Sequence, residues 1–329
     1  VKYASAFAGI GGFDLAFERE GWTVTAQIEK NKQRLKVLAR HFANAPRIER
    51  IEDASGSDIG RPDLVVGGFP CEGVSIGAPN RVGLADARSA LYWEFRRLLD
   101  ELLRLTDYAR PRWVVIENAP GLLRSPRSSP GADMAAVVNG LETLGYGWAY
   151  RVVDSHDLGS TQRRQRLIVV GHRGGDPRPA WEVLDDTGGG AKATRPRHVG
   201  PRRGPASPAS PSGPSGELIW RKSARPRAAL SKGGYETWVA SEFSNVLTKF
   251  DAGRSDRQTH LLIQNGRLRT LTPLEWERLQ GFPDNWTAGL SDSAREQACG
   301  DAMNVVMATW LARRIATVDG RLPLLSTVR

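Results

Sequence analysis

The sequence predicts an α/β fold, a mostly parallel, doubly wound sheet with helices on both faces and a second, smaller domain. Three observations carry that reading. Apolar runs of strand length, such as Leu64-Val65-Val66 and Trp113-Val114-Val115-Ile116, alternate with amphipathic helical stretches. The chain opens as strand, glycine turn and helix. Residues able to do chemistry cluster at strand ends, the edge where ligands bind in open α/β sheets.

Taken in order, Tyr3 to Ala8 reads as a strand, with no signal-peptide cleavage pattern after it. It runs into Gly9-Ile10-Gly11-Gly12-Phe13 and then a helical pattern from Asp14 to Glu20, stopped by Gly21. Glycines let a backbone approach a ligand, and a helix start offers free amides. The sixth position of the turn is Asp14 rather than glycine, which argues against a nicotinamide or flavin cofactor. A second strand, Val24 to Ile28, ends in Glu29, where a carboxylate can accept from both hydroxyls of a ribose. A helix from Asn31 to Phe42 follows, and Asp53 stands before the next strand, placed for a further strand-end contact.

That strand delivers Gly67-Gly68-Phe69-Pro70-Cys71, so a thiol is presented from a constrained loop. A lone cysteine is more often a small buried hydrophobe; the glycines and proline around this one favour a reactive group. A polar loop, Gly77 to Ser89, holds Arg81, Asp86 and Arg88, and Leu91 to Leu105 is an amphipathic helix. The strand at Trp113 ends in Glu117-Asn118. Helix Met134 to Leu144, strand Trp148 to Val153 and strand Leu167 to Gly171 complete the first domain, the last preceded by Gln162-Arg163-Arg164-Gln165-Arg166. Beyond His172, the stretch 188–216 is rich in Gly, Pro, Ser, Ala and Arg and reads as a flexible insert. Aromatic residues among basic ones follow, and Thr272-Pro273 with Glu275 caps a short helix. A last long helix is expected within Ser293 to Ile315, carrying Trp310 and Leu311 on its apolar side.

Composition bounds the function. The 329 residues, 40% hydrophobic, suffice for one large or two ordinary domains, and no run reaches the ~18 apolar residues of a membrane span. Two cysteines, Cys71 and Cys299, are too few for a disulfide scaffold or a zinc site and fit a reducing, cytoplasmic setting; no metal is expected. Cys299, on a packed segment, reads as structural. The net charge of +10 is uneven: residues 172–268 carry 16 Lys and Arg against 9 Asp and Glu, whereas residues 1–171 carry 23 against 20. Such a basic middle segment suits a polyanion, although arginine-rich composition alone also raises the charge.

With these residues in place, the chain resembles the bacterial and phage DNA (cytosine-5) methyltransferases over nearly its whole length. Phe7-Ala8-Gly9-Ile10-Gly11-Gly12 looks like the family's S-adenosylmethionine loop, Pro70-Cys71 like its Pro-Cys, Glu117-Asn118 like its Glu-Asn, and Gln162-x-Arg164-x-Arg166 like its Gln-x-Arg-x-Arg. Arg269 to Glu275 and Arg278 to Pro283 look like the segment that closes the recognition region, and Gly300-Asp301-Ala302-Met303 stands at the final Gly-Asn motif. Ser5, Glu72 and Asp301 depart from the usual Asp, Gln and Asn, and Val246-Leu247 replaces the usual Thr-Leu.

The resemblance implies an S-adenosylmethionine-dependent, Rossmann-like catalytic domain at 1–173, completed by a C-terminal helix at 294–329, with a target-recognition domain at 174–293. It implies Cys71, Glu117, Arg164 and Arg166 as catalytic residues. Phe7, Ala8, Gly9, Gly11, Gly12, Glu29, Asp53, Pro70, Leu91 and Asp301 are implied at the cofactor, and Ser75, Arg81, Arg88, Gln162, Val246, Leu247 and Thr248 at DNA, with residues 76–89 closing over the base. The implied partner is double-stranded DNA, the implied state a monomer, and a cognate restriction endonuclease encoded separately is compatible with it. Two readings stay open at this point: an RNA substrate, and a catalytically silent DNA-binding relative.

Overall fold

The computed structural model describes residues 1–71, 82–86, 89–105, 111–185, 219–222, 238–241, 244, 247, 260–264 and 267–320. The chain divides into two compact units. The first comprises Val1–Val153, Gln165–Arg202 and Met307–Arg329, and the second Asp154–Arg164 and Arg203–Val306.

Seven strands make the sheet of the first unit: β1 (Lys2–Ala6), β2 (Thr23–Ile28), β3 (Arg47–Ile48), β4 (Leu64–Gly67), β5 (Trp113–Asn118), β6 (Tyr146–Asp154) and β7 (Gln165–Arg173). Their order is β3-β2-β1-β4-β5-β7-β6. The first five are parallel and β7 runs antiparallel to β5, so the sheet is mostly parallel as expected. The order reverses between β1 and β4, which is the switch point where doubly wound sheets bind ligands. Strands β4 and β5 are apolar and buried because helices cover such sheets.

The helices are α1 (Gly12–Arg19), α2 (Lys32–His41), α3 (Leu91–Arg104), α4 (Ala132–Thr143) and α5 (Arg178–Leu184). Asn31 caps α2, its side chain accepting from the amides of Gln33 and Arg34 at 2.9 and 3.2 Å. Helix α3 buries Tyr92, Phe95, Leu98, Leu99 and Leu102, a stripe at helical spacing. Each such side chain contributes about 1.5–3 kcal/mol. Phe95 packs so close to Gly67 that a Cβ there would lie 2.8 Å from its ring.

The second unit holds a four-stranded antiparallel sheet of β8 (Ile219–Lys222), β9 (Trp238–Ser241), β10 (His260–Gln264) and β11 (Arg267–Arg269), in the order β11-β10-β8-β9. Helix α6 (Pro273–Leu279) follows, with the capping box expected from Thr272 and Glu275. The insert expected at 188–216 lies outside the described residues.

The long helix expected within Ser293 to Ile315 is two helices, α7 (Asp292–Asp301) and α8 (Val305–Asp319). Asn304 breaks the run. It is fully buried, its Oδ1 accepts from the Val306 amide at 3.1 Å, and its Nδ2 donates to the Leu279 carbonyl at 3.3 Å. The division into units also differs from boundaries at 173 and 294. Arg314 on α8 donates to the carbonyls of Glu182, Val183 and Asp185, which ties α5 into the first unit. Gln280 donates to the Cys299 carbonyl at 2.8 Å, which ties α7 to the second. No helix among the described residues is long and apolar enough to cross a membrane.

Candidate active site

Strand register assembles one edge of the first unit's sheet. Ala6 pairs with Gly67, so the turns after β1 and β4 emerge side by side. Gly67 pairs with Ile116, which sets Gly68 beside Glu117. Asn118 pairs with Leu167, which brings in Arg166 from β7.

After β1 the backbone enters the left-handed region at Phe7, Gly9 and Gly11. A Cβ built on Gly9 meets nothing within 4 Å, so the loop leaves open space above it. Glu29 is buried and braces this loop: one carboxylate oxygen accepts from the Gly9 amide and the other from the Asn31 amide, both at 2.8 Å. Each oxygen keeps acceptor capacity for a hydroxyl. Ala8 donates to the Ile28 carbonyl at 3.0 Å, and Gly12 starts α1.

Beneath this loop lies a group that sequence reasoning took only as a departure from a fingerprint. Asp14 is fully buried and accepts from Ser5 on β1 at 3.1 Å and from Gln27 on β2 at 2.9 Å. Burial pushes its carboxyl up to about 6. Ser5, noted as replacing an aspartate, donates to this buried acid instead. The signal available in sequence was the helical offset placing an acid on the apolar face of α1.

The turn after β4 carries Cys71, half-buried and partly packed on the hydrophobic core. Two side chains hold the turn before it. Asn118 donates to the Phe69 carbonyl and the fully buried Ser89 donates to the Pro70 carbonyl, each at 3.1 Å. Ser89 was not singled out from sequence. Leu91 starts α3 and packs on the same core. Glu117 pairs with Arg166, Nε to Oε1 at 2.7 Å, the side chains 17% and 16% exposed. A Cβ on Gly68 would lie 2.5 Å from Glu117 Oε2, so a larger residue there would push that carboxylate aside.

The other expected residues have the following settings. Asp53 sits in a 3-10 turn after β3 with its side chain exposed, 3.7 Å from Arg50. Asp301, the last residue of α7, is exposed in the second unit. Gln162 is fully buried. Arg164, read with Arg166 as a partner of the reacting ring, is only 1% exposed and donates to the carbonyls of Leu247 at 3.0 Å, Gly300 at 3.1 Å and Ala302 at 2.8 Å. It belongs to the second unit, whereas Glu117 and Arg166 belong to the first. Leu247 is fully buried. Ser75, Arg81, Arg88, Val246 and Thr248 lie outside the described residues. Cys299 is fully buried and burial pushes its thiol up, away from the reactive thiolate.

The comparisons decide the family. The model of C-5 cytosine-specific DNA methylases matches residues 1–188 and 216–317. The chain belongs to that family. The methylase is 28% identical over 331 residues to the Type II methyltransferase M2.BsuMI of Bacillus subtilis, covering 97% of this chain and 76% of that protein. It is 24% identical over 406 residues to the Type II methyltransferase M.Sau3AI of Staphylococcus aureus, covering 97% and 96%. Among solved structures, the S. pombe Dnmt2 methyltransferase superposes with a TM-score of 0.65 at 16% identity, covering 97% of this chain and 99% of that one. The Entamoeba histolytica methyltransferase EhMeth does so at 0.64 and 18% identity, covering 96% and 98%. These structural likenesses show the methyltransferase fold. With the family comes the cofactor, S-adenosylmethionine. The residues fit it: the open space over Gly9 and the amide-braced Glu29 carboxylate suit a ribose-bearing ligand.

Proposed function

We propose that the methylase transfers a methyl group to carbon 5 of a cytosine flipped out of a specific double-stranded DNA sequence, through a covalent adduct on Cys71. The observation that carries this reading is the Glu117–Arg166 pair, wedged against Gly68 at the sheet edge that presents Cys71.

Carbon 5 of cytosine is a poor nucleophile. Addition of the Cys71 thiolate to carbon 6 forms an S–C6 bond and pushes the ring π electrons toward carbon 5. Glu117 shares a proton with ring nitrogen 3 and accepts from the amino group, and Arg166, held by Glu117, stabilises the charge that builds on the ring oxygen. Bound S-adenosylmethionine supplies an electrophilic methyl. Carbon 5 takes that methyl, the pair of the broken C–S bond staying with the sulfur; it then loses its proton to water, and the electrons of the broken C–H bond restore the ring double bond as the Cys71 thiolate leaves. Asn118 and Ser89 keep the thiol in place by fixing the carbonyls just before it. The backbone loop at Phe7–Gly12 and the Glu29 carboxylate hold the cofactor.

Carbon 6 is unreachable inside a duplex, so the base must leave the stack at a cost of roughly a few kcal/mol. The basic segment 172–268 supports DNA contact, phosphates giving affinity and base edges specificity. The Type II names of the relatives support a restriction–modification or phage-modification role.

The test is bisulfite sequencing of DNA from cells expressing this chain, beside a Cys71→Ser control. Protection at one short recurrent motif, lost in the control, is expected. Equal protection in the control overturns the covalent route. No protection, with the protein folded and binding cofactor, moves the assignment to an RNA substrate or a silent DNA-binding relative. A duplex carrying 5-fluorocytosine, which has no carbon-5 proton to lose, should trap Cys71 as an adduct seen by mass.

A further inference from the structure

We propose that Arg164 is a positioning residue for target recognition and takes no part in the chemistry of the ring. The proposal rests on the reading above and on the expectation that positions 246 and 248 meet DNA.

Arg164 cannot be a spare cation. A guanidinium taken out of water is costly unless its donors are engaged, and this one is 1% exposed. It meets that cost with three carbonyls from two stretches of the second unit: Leu247 at 3.0 Å, and Gly300 and Ala302 at 3.1 and 2.8 Å. Its own amide donates to Asp154 Oδ1 at 3.0 Å, which fixes where the side chain starts.

The same stretch pairs with the recognition segment through its backbone. Gln162 and Ser244 form a parallel bridge. The Arg163 amide donates to the Ser244 carbonyl at 3.0 Å, and the Ser244 amide to the Thr161 carbonyl at 3.1 Å. Residues 161–164 are thus bonded to both Ser244 and Leu247, and the Arg164 fork joins the Leu247 carbonyl to those of Gly300 and Ala302. Positions 246 and 248, read as DNA contacts, flank the pinned Leu247 in sequence. Base-edge readout depends on side chains placed to within fractions of an ångström. A fork that fixes the intervening carbonyl therefore acts on which sequence is read. Lysine carries the same charge but offers a compact ammonium, which cannot hold three divergent carbonyls in the planar geometry of the fork.

The test uses the full chain with Arg164→Lys and Arg166→Lys, cofactor, the cognate duplex, and duplexes with one base pair changed. For R164K we expect KM for the duplex to rise about tenfold and discrimination against the changed duplexes to fall about tenfold, with the saturating single-turnover rate within about threefold of wild type. R166K should lose the single-turnover rate instead. Loss of that rate in R164K, with KM and discrimination unchanged, overturns the proposal. If R164K does not fold, the structure of the wild-type chain trapped on a 5-fluorocytosine duplex decides: Arg164 still on its three carbonyls upholds the proposal, and Arg164 turned to the ring overturns it. If wild type forms no adduct and does not methylate, the function above has failed. Equilibrium binding of R164K to cognate and changed duplexes then judges Arg164 separately, lost discrimination upholding and unchanged discrimination overturning its role.

Discussion

The two edges of the first unit's sheet use the same residue types to opposite ends. At the edge where β1, β2, β4 and β5 finish stand Glu29, Cys71 and Glu117, the last paired with an arginine that is still 16% exposed. At the edge where β5 begins, Asp319 accepts from Arg112 at 2.6 Å and from the Trp113 indole at 2.8 Å, and closes α8 onto the sheet. His172 is buried there against Trp113, ring centroids 4.6 Å apart; burial, then Arg112, lowers its pKa. Both edges hold an arginine–carboxylate pair of nearly equal length. The difference lies in the surroundings. One pair stands against Gly68 on the edge where the half-buried Cys71 follows β4; the other is bonded to an indole and locks two elements together. Pairing alone therefore does not mark a site.

Substitutions can break this contrast, starting from the largest effect. Glu117→Gln or Arg166→Lys should lower the single-turnover rate about 10²–10³-fold while leaving the melting temperature nearly unchanged, measured by quench-flow and calorimetry. An equal loss of stability and rate would make the two edges alike. Glu29→Gln should raise the dissociation constant for S-adenosylmethionine about tenfold or more by titration calorimetry, with DNA affinity unaffected. Asp319→Asn at the opposite edge should cost about 1–3 kcal/mol in denaturant unfolding and leave the rate per folded molecule intact.

The last effect, a change with pH, concerns Asp14. Its folded pKa, about 6, is raised above the ordinary 3.8 of the unfolded chain. Its contribution is most favourable below the unfolded value and is lost as pH rises through 6. Asp14→Asn removes that titration. The stability of the variant relative to wild type should improve by about 2 kcal/mol between about pH 4 and pH 8. Parallel pH profiles would show that Asp14 does not carry the raised pKa.

Much of the first unit was legible. Buried strands such as Val114 to Ile116 read as apolar runs because both faces are covered, and the Thr272 cap read as local chemistry. Glu29, Cys71 and Glu117 stood out because strand ends are where a parallel sheet exposes its loops. What stayed hidden was set by distant partners. The antiparallel insertion of β7 between β5 and β6 has no local signature. The spacing of Arg164 and Arg166 suggested one shared role, but only the tertiary course of the chain puts three carbonyls around the first and a carboxylate beside the second. Asp14 read as a missing glycine because its partners sit on two different strands. The break at Asn304 is equally a tertiary matter, for the buried amide bonds back to the end of α6.

Helix α8 also bears on the order of assembly. Its contacts with the first unit span 207 residues from Arg112 to Asp319 and 293 from Glu20 to Arg313. During synthesis the sheet therefore emerges long before its closing helix, and most of the second unit, Arg203–Val306, is made in between. Contacts of such span are slow to form because the intervening chain must first be gathered in. Until then the Trp113 end of the nascent sheet remains uncovered, a stage at which a holding chaperone would find apolar surface to grip.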